Sequence, residues 1–65
     1  MQITINREAF ELPDGASLAD AIALRQPRPP FAAAVNLQFV PRAHYGQHRL
    51  QEGDHLDIIA PITGG

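Results

Sequence analysis

Three groups of residues in this 65-residue chain could do chemistry, and the first has no side chain at all. The sequence closes on Ala60-Pro61-Ile62-Thr63-Gly64-Gly65, an apolar run that ends in a bare diglycine carboxylate. Glycine makes up about 7% of residues, so a chance pair at a chain end is expected in only roughly 0.5% of chains. Lacking Cβ atoms, the pair can lie extended in a narrow slot, and its carboxylate is open on the side from which a nucleophile must approach. The stretch after Ala60 reaches at most about 17 Å when fully extended. That is far enough to put a carboxyl group inside another protein's active site while the folded body stays outside. Taken alone, the tail also fits an ordinary frayed terminus.

The second group is His44 and His48, whose i, i+4 spacing suits a metal ion only if the segment is helical. No third ligand is near in sequence and His55 falls in a strand-like stretch, so surface histidines are the better reading and no metal site is expected. The third group is Glu52, Asp54 and Asp57. Paired carboxylates can run acid–base chemistry, but two of these sit in turn-like sequence and so short a chain cannot desolvate them. With no Cys and no Lys, a thiol nucleophile, a zinc–thiolate site and a Schiff-base lysine are excluded. Neither a phosphate-binding Gly-rich loop nor a nucleophile elbow is present. The side chains therefore read as structural, the chain is not expected to be an enzyme, and the reactive group is the main-chain carboxylate.

Composition narrows the setting. The net charge is −2 and the five basic residues, Arg7, Arg25, Arg28, Arg42 and Arg49, are scattered, which leaves no electrostatic footprint for nucleic acid. No apolar run approaches the ~20 residues of a membrane span, and Met1-Gln2-Ile3-Thr4-Ile5 is strand-like rather than a secretory leader. A cytoplasmic protein, monomeric when free, is expected. At this length it is one domain near the lower limit for unaided folding.

The elements that must position the tail follow from periodicity. Ile3 and Ile5 alternate with Gln2, Thr4 and Asn6, and Ala9-Phe10-Glu11-Leu12 resumes the alternation after the polar Asn6-Arg7-Glu8, which predicts a hairpin. Pro13-Asp14-Gly15 is turn chemistry. Ser17 is a good N-cap, Asp20 supports the helix start, and Leu18, Ala21 and Ile22 share one helical face. The helix must end near Arg25 or Gln26, ahead of Pro27, Pro29 and Pro30. Phe31–Val35 and Leu37-Gln38-Phe39-Val40 read as two short strands, residues 42–49 as an irregular or 3₁₀ segment, and Leu56 and Ile58 as alternating positions of a last strand. This is a small α+β fold. Its strand and helix order fits a β-grasp, or ubiquitin-like, mixed sheet with one main helix on one face. Residues 1–60 are expected to form the domain and 61–65 a flexible tail.

Several of these residues, in this order, resemble the ThiS family of thiamine-biosynthesis sulfur carriers. They are Met1-Gln2-Ile3, the Gly15-to-Leu18 helix entry, Ala34-Val35-Asn36, Val40-Pro41-Arg42, Gly53-Asp54 and terminal Gly64-Gly65. The resemblance covers essentially the whole chain. It departs from the family at the proline-rich loop of residues 27–30, at Pro61 beside the tail, and at Tyr45, where another aromatic is usual.

The resemblance implies that the Gly65 carboxylate is adenylated and then converted to a thiocarboxylate, and that Gly64, Thr63 and Ile62 are read by the partner as it takes the tail. It implies a ThiF-like adenylating enzyme that uses ATP and Mg²⁺, a cysteine-persulfide sulfur donor, and thiazole synthase as acceptor, with no cofactor bound to this chain itself. Phe39, Ile59 and Arg42 are the candidates for the surface that the partner grips, although Phe39 and Ile59 could equally fill the core. Two other readings stay open at this point. One is the small subunit of molybdopterin synthase, also a diglycine sulfur carrier. The other is a ubiquitin-like or TGS-type binding module, which Leu12-Pro13-Asp14-Gly15 faintly resembles.

Overall fold

In the computed structural model, which describes residues 1–60, the first alternating segments form strands β1 (Gln2–Ile5) and β2 (Glu8–Glu11). They pair antiparallel from Gln2 opposite Glu11 to Ile5 opposite Glu8. That register leaves a two-residue loop, and the right-handed twist of the strands favours a type I′ turn there, with φ > 0 at both of its residues. Asn6 (φ 50°) and Arg7 (φ 72°) supply it. Glu8, which the sequence places in the turn, is already in β2.

Helix α1 (Leu18–Arg25) starts and stops where the local chemistry dictates. The Ser17 hydroxyl accepts from the Asp20 N–H at 3.2 Å, and the Asp20 carboxylate accepts from the Ser17 N–H at 2.9 Å, a complete capping box. The other exposed donors of the first turn are taken by a distant segment. The Leu18 N–H donates to His48 O at 2.8 Å and the Ala19 N–H to Tyr45 O at 3.0 Å. The residues after the short 3₁₀ helix (Arg42–His44) thus cap α1. Gln26, in the left-handed conformation at φ 49°, ends it ahead of the prolines.

A second hairpin joins β3 (Ala32–Val35) to β4 (Gln38–Val40). The sequence places Leu37 in a strand, and the structure corrects this. Val35 lies opposite Gln38, so Asn36 (φ 51°) and Leu37 (φ 69°) form a second two-residue turn of the same type as the first. Register overrides the preference of a branched apolar residue for extended backbone.

Strand β5 (His55–Ile59) enters the middle of the sheet, giving the order β2-β1-β5-β3-β4. It runs parallel to β1 and antiparallel to β3. This is the expected β-grasp arrangement, with the first and last strands as central neighbours. Helix α1 covers one face through Leu18 and Ala21, which pack with Ile3, Ile5, Ala33, Val35, Val40, Leu50 and Leu56. No helix among the described residues is long and apolar enough to cross a membrane.

Candidate functional site at the exit of the central strand

The segment that carries Gly64 and Gly65 follows in sequence from the end of β5, the strand held on both edges. Residues paired directly across a sheet share a face, and alternate residues along a strand switch faces. Ala34 is opposite both Phe39 and Asp57, and Ala32 is opposite Ile59. Phe39 and Ile59 therefore lie on the outer face of the sheet, away from the helix. The core positions Ala33, Val35, Val40 and Leu56 belong to the inner face. Both Phe39 and Ile59 are exposed. Two strand spacings and two residues separate them, about 12 Å by ideal sheet dimensions, with Ala32 and Ala34 between and Asp57 at the border, opposite Ala34. The result is a shallow apolar surface at the mouth of the strand.

Arg42 lies at the same end of the sheet but on a different surface. With Tyr45, Pro29, Pro30 and Phe31 it lines a cavity of about 220 Å³, where the Phe31 and Tyr45 rings stack with centroids 6.2 Å apart and planes 13° from parallel. Phe31 directly precedes Ala32, the partner of Ile59, so this cavity borders the exit of β5. The sequence candidates thus divide. Phe39 and Ile59 share the outer face, and Arg42 stands beside it. Ile62, Thr63, Gly64 and Gly65 lie outside the described residues.

A larger hollow of about 460 Å³ crosses the outer face nearer the start of β5, between Arg7 and Leu37, with Thr4, His55 and Asp57 among its lining residues. The Thr4 hydroxyl and His55 Nδ1 are hydrogen-bonded at 2.8 Å on its floor. His44 and His48 border a shallow depression with Gln47, and among the described residues no group of three or more potential metal ligands is assembled. The acidic trio is split up. Glu52 Oε1 accepts from the Gln2 N–H at 2.9 Å. Asp54 accepts from the Gln51 N–H at 2.8 Å and from Asn36 Nδ2 at 3.1 Å. Two of the three carboxylates are turn locks, and Asp57 faces out of the sheet between them and the exit.

Sequence reasoning missed the two asparagines that hold β5. Asn36 grips its start, donating from its N–H to His55 O at 2.7 Å and accepting from the His55 N–H through Oδ1 at 3.0 Å. Asn6 grips its end, accepting from the Ile58 N–H through Oδ1 at 2.8 Å and donating from Nδ2 to Ile58 O at 3.2 Å. The available signal was an asparagine at the close of the alternating run before Asn6 and of the continuous apolar run before Asn36, the residue most tolerant of left-handed backbone after glycine.

Comparison with known proteins fits this geometry. The model of the ThiS family matches residues 2–65. The chain is 35% identical over 66 aligned positions to the sulfur carrier protein ThiS of Escherichia coli (strain K12), with all of both chains covered. Its fold superposes on the crystal structure of the thiamine biosynthesis protein ThiS from Geobacter metallireducens with a TM-score of 0.81, covering both chains completely at 13% identity.

Proposed function

The chain belongs to the ThiS family, and from that premise we propose that it carries sulfur on the carboxyl carbon of Gly65 for thiamine biosynthesis. The observation that carries the reading is the family match running through residue 65, diglycine included.

The chemistry follows from what a carboxylate lacks. With a pKa of about 3.5 a terminal carboxyl is an anion at neutral pH and a poor electrophile. An adenylating enzyme overcomes this with ATP and Mg²⁺: a Gly65 oxygen attacks the α-phosphorus, pyrophosphate leaves, and an acyl-adenylate remains. The terminal sulfur of a cysteine persulfide on a donor protein attacks the acyl carbon and AMP departs. A thiol then cleaves the sulfur–sulfur bond, becoming part of a disulfide and leaving the thiocarboxylate. Thiazole synthase takes the sulfur, an oxygen from its substrate or from water replaces it on the acyl carbon so that the carboxylate returns, and the chain is a recycled co-substrate.

The body supplies grip and aim. Phe39 and Ile59 are the apolar part of the docking surface, Arg42 a polar contact at its border, and Ile62, Thr63 and Gly64 the segment read inside the partner's channel. Exposure of Phe39 and Ile59 on one face at the end of β5 supports this assignment.

The test is pyrophosphate release from ATP by a ThiF-type enzyme, with this chain and with a variant carrying one alanine after Gly65. Release with the first and none with the second is expected. No release from either chain, as for a binding module whose carboxylate is never activated, or equal release from both, which would show that the diglycine end is not what is read, would overturn the proposal. Offered both acceptors, the loaded chain is expected to supply thiazole synthase; transfer only to the large subunit of molybdopterin synthase would reassign the pathway.

A further inference from the structure

Strand β1 accompanies β5 for only two paired positions, Thr4 with His55 and Ile5 with Leu56, before it turns away at Asn6. The Asn6 N–H makes the last backbone bond of this ladder, to Leu56 O at 2.9 Å. Backbone groups alternate edges along a strand, so the next pair on β5 to face β1 belongs to Ile58, where β1 has no peptide left to offer. The Asn6 side chain fills the gap. Its Oδ1 accepts from the Ile58 N–H at 2.8 Å and its Nδ2 donates to Ile58 O at 3.2 Å. A carboxamide has the same donor and acceptor as a peptide unit, so it adds one rung to the ladder. Only one orientation of the amide makes both bonds.

We infer that Asn6 is a positioning residue for the sulfur-transfer reaction: its carboxamide braces the end of β5 on the β1 side, opposite the β3 pairing, and thereby restricts the direction in which the chain continues toward Gly65. The inference rests on the reading of Gly65 as the sulfur-carrying end. Ile58 is the last residue of β5 braced on the β1 side, and Gly65 lies seven residues beyond it. Without the rung, β5 beyond Leu56 would be held on its β3 edge alone, through the pairs Ala33–Ile58 and Ala32–Ile59, and the partner would have to select the threaded direction from a wider set. Loss of preorganisation of this kind appears in the concentration needed for binding rather than in the rate once bound.

The test compares Asn6→Gly with Asn36→Gly. Glycine keeps the positive φ that both turns need while removing the side-chain bonds. Asn36 holds the start of β5 and serves as the control for a purely structural loss. Ile58 amide hydrogen exchange is read in each folded variant, together with KM and kcat for adenylation by a ThiF-type enzyme. For Asn6→Gly the account expects faster Ile58 exchange and a KM about tenfold higher with kcat within twofold. For Asn36→Gly it expects KM within twofold of the parent. Asn6→Asp keeps the acceptor for the Ile58 N–H and loses the donor, so it should fall between parent and glycine, and it decides the matter if Asn6→Gly does not fold. Unchanged KM in the Asn6 variants, or an equal rise from Asn36→Gly, would overturn the inference. If the parent chain itself is not adenylated, the sulfur-carrier reading fails first, and this inference with it.

Discussion

On the inner face of the sheet Ile3, Ile5, Val35 and Leu56 are 1%, 0%, 4% and 1% exposed, whereas on the outer face Phe39 and Ile59 remain 68% and 59% exposed. The two faces share the same strands, and in β5 they alternate residue by residue. Enclosing a large apolar side chain is worth about 1.5–3 kcal/mol, a sizeable share of the stability of so small a domain. The inner face collects that stabilisation from the helix and leaves the outer face uncovered. A lone exposed apolar residue is ordinary. Two of them flanking a strip of alanine at the mouth of the central strand make a surface that a partner can cover. The difference teaches that folding and docking are divided between opposite sides of a single sheet.

The sharpest way to break that division is to exchange its consequences. Leu56→Ala on the inner face should cost about 2–5 kcal/mol in chemical denaturation, enough to leave much of the domain unfolded. Phe39→Asp on the outer face should change stability by less than about 0.5 kcal/mol yet raise KM for adenylation about tenfold or more, equivalent to ~1.4 kcal/mol. If Phe39→Asp unfolded the domain instead, the aromatic ring would belong to the core and the division would fail.

Smaller effects sharpen it. Ser17→Ala removes half of the capping box under the inner layer and should lower stability by about 1 kcal/mol, with KM unchanged while the domain stays folded. The smallest is a pH effect at the far edge. The Met1 ammonium donates to Leu12 O at 2.6 Å and lies 3.2 Å from Glu11 Oε2. Its pKa is raised above 8.0, chiefly by the hydrogen bond to Glu11, against an opposing effect of partial desolvation. A raised folded-state pKa adds stability that is fully present below about pH 8 and is lost as pH rises through the folded value. The melting temperature should therefore drop between pH 7 and 10, and Glu11→Gln should flatten the drop.

The element order, the helix cap at Ser17 and the stop at Gln26 were legible, because local rules and hydrophobic period agree at those places. Leu37 was not, because its turn is imposed by the pairing of Val35 with Gln38, and a strand-forming residue at φ 69° contradicts local preference. The roles of Asn6 and Asn36 were hidden for a related reason: their side chains bond residues 52 and 19 positions away. Glu52 and Asp54 read as structural rather than catalytic, and the specific backbone groups that they hold were not legible. Exposure of Phe39 and Ile59 could be guessed only as a break in the core pattern, and their shared face needed the register.

The most direct measurement is the intact mass of this chain after incubation with a ThiF-type enzyme, ATP, Mg²⁺, a persulfide donor and a reducing thiol. The account predicts replacement of one oxygen by sulfur, mapped to Gly65 and absent when Gly65 is deleted. An unchanged mass, with an adenylating enzyme that demonstrably charges another diglycine carrier, would contradict it.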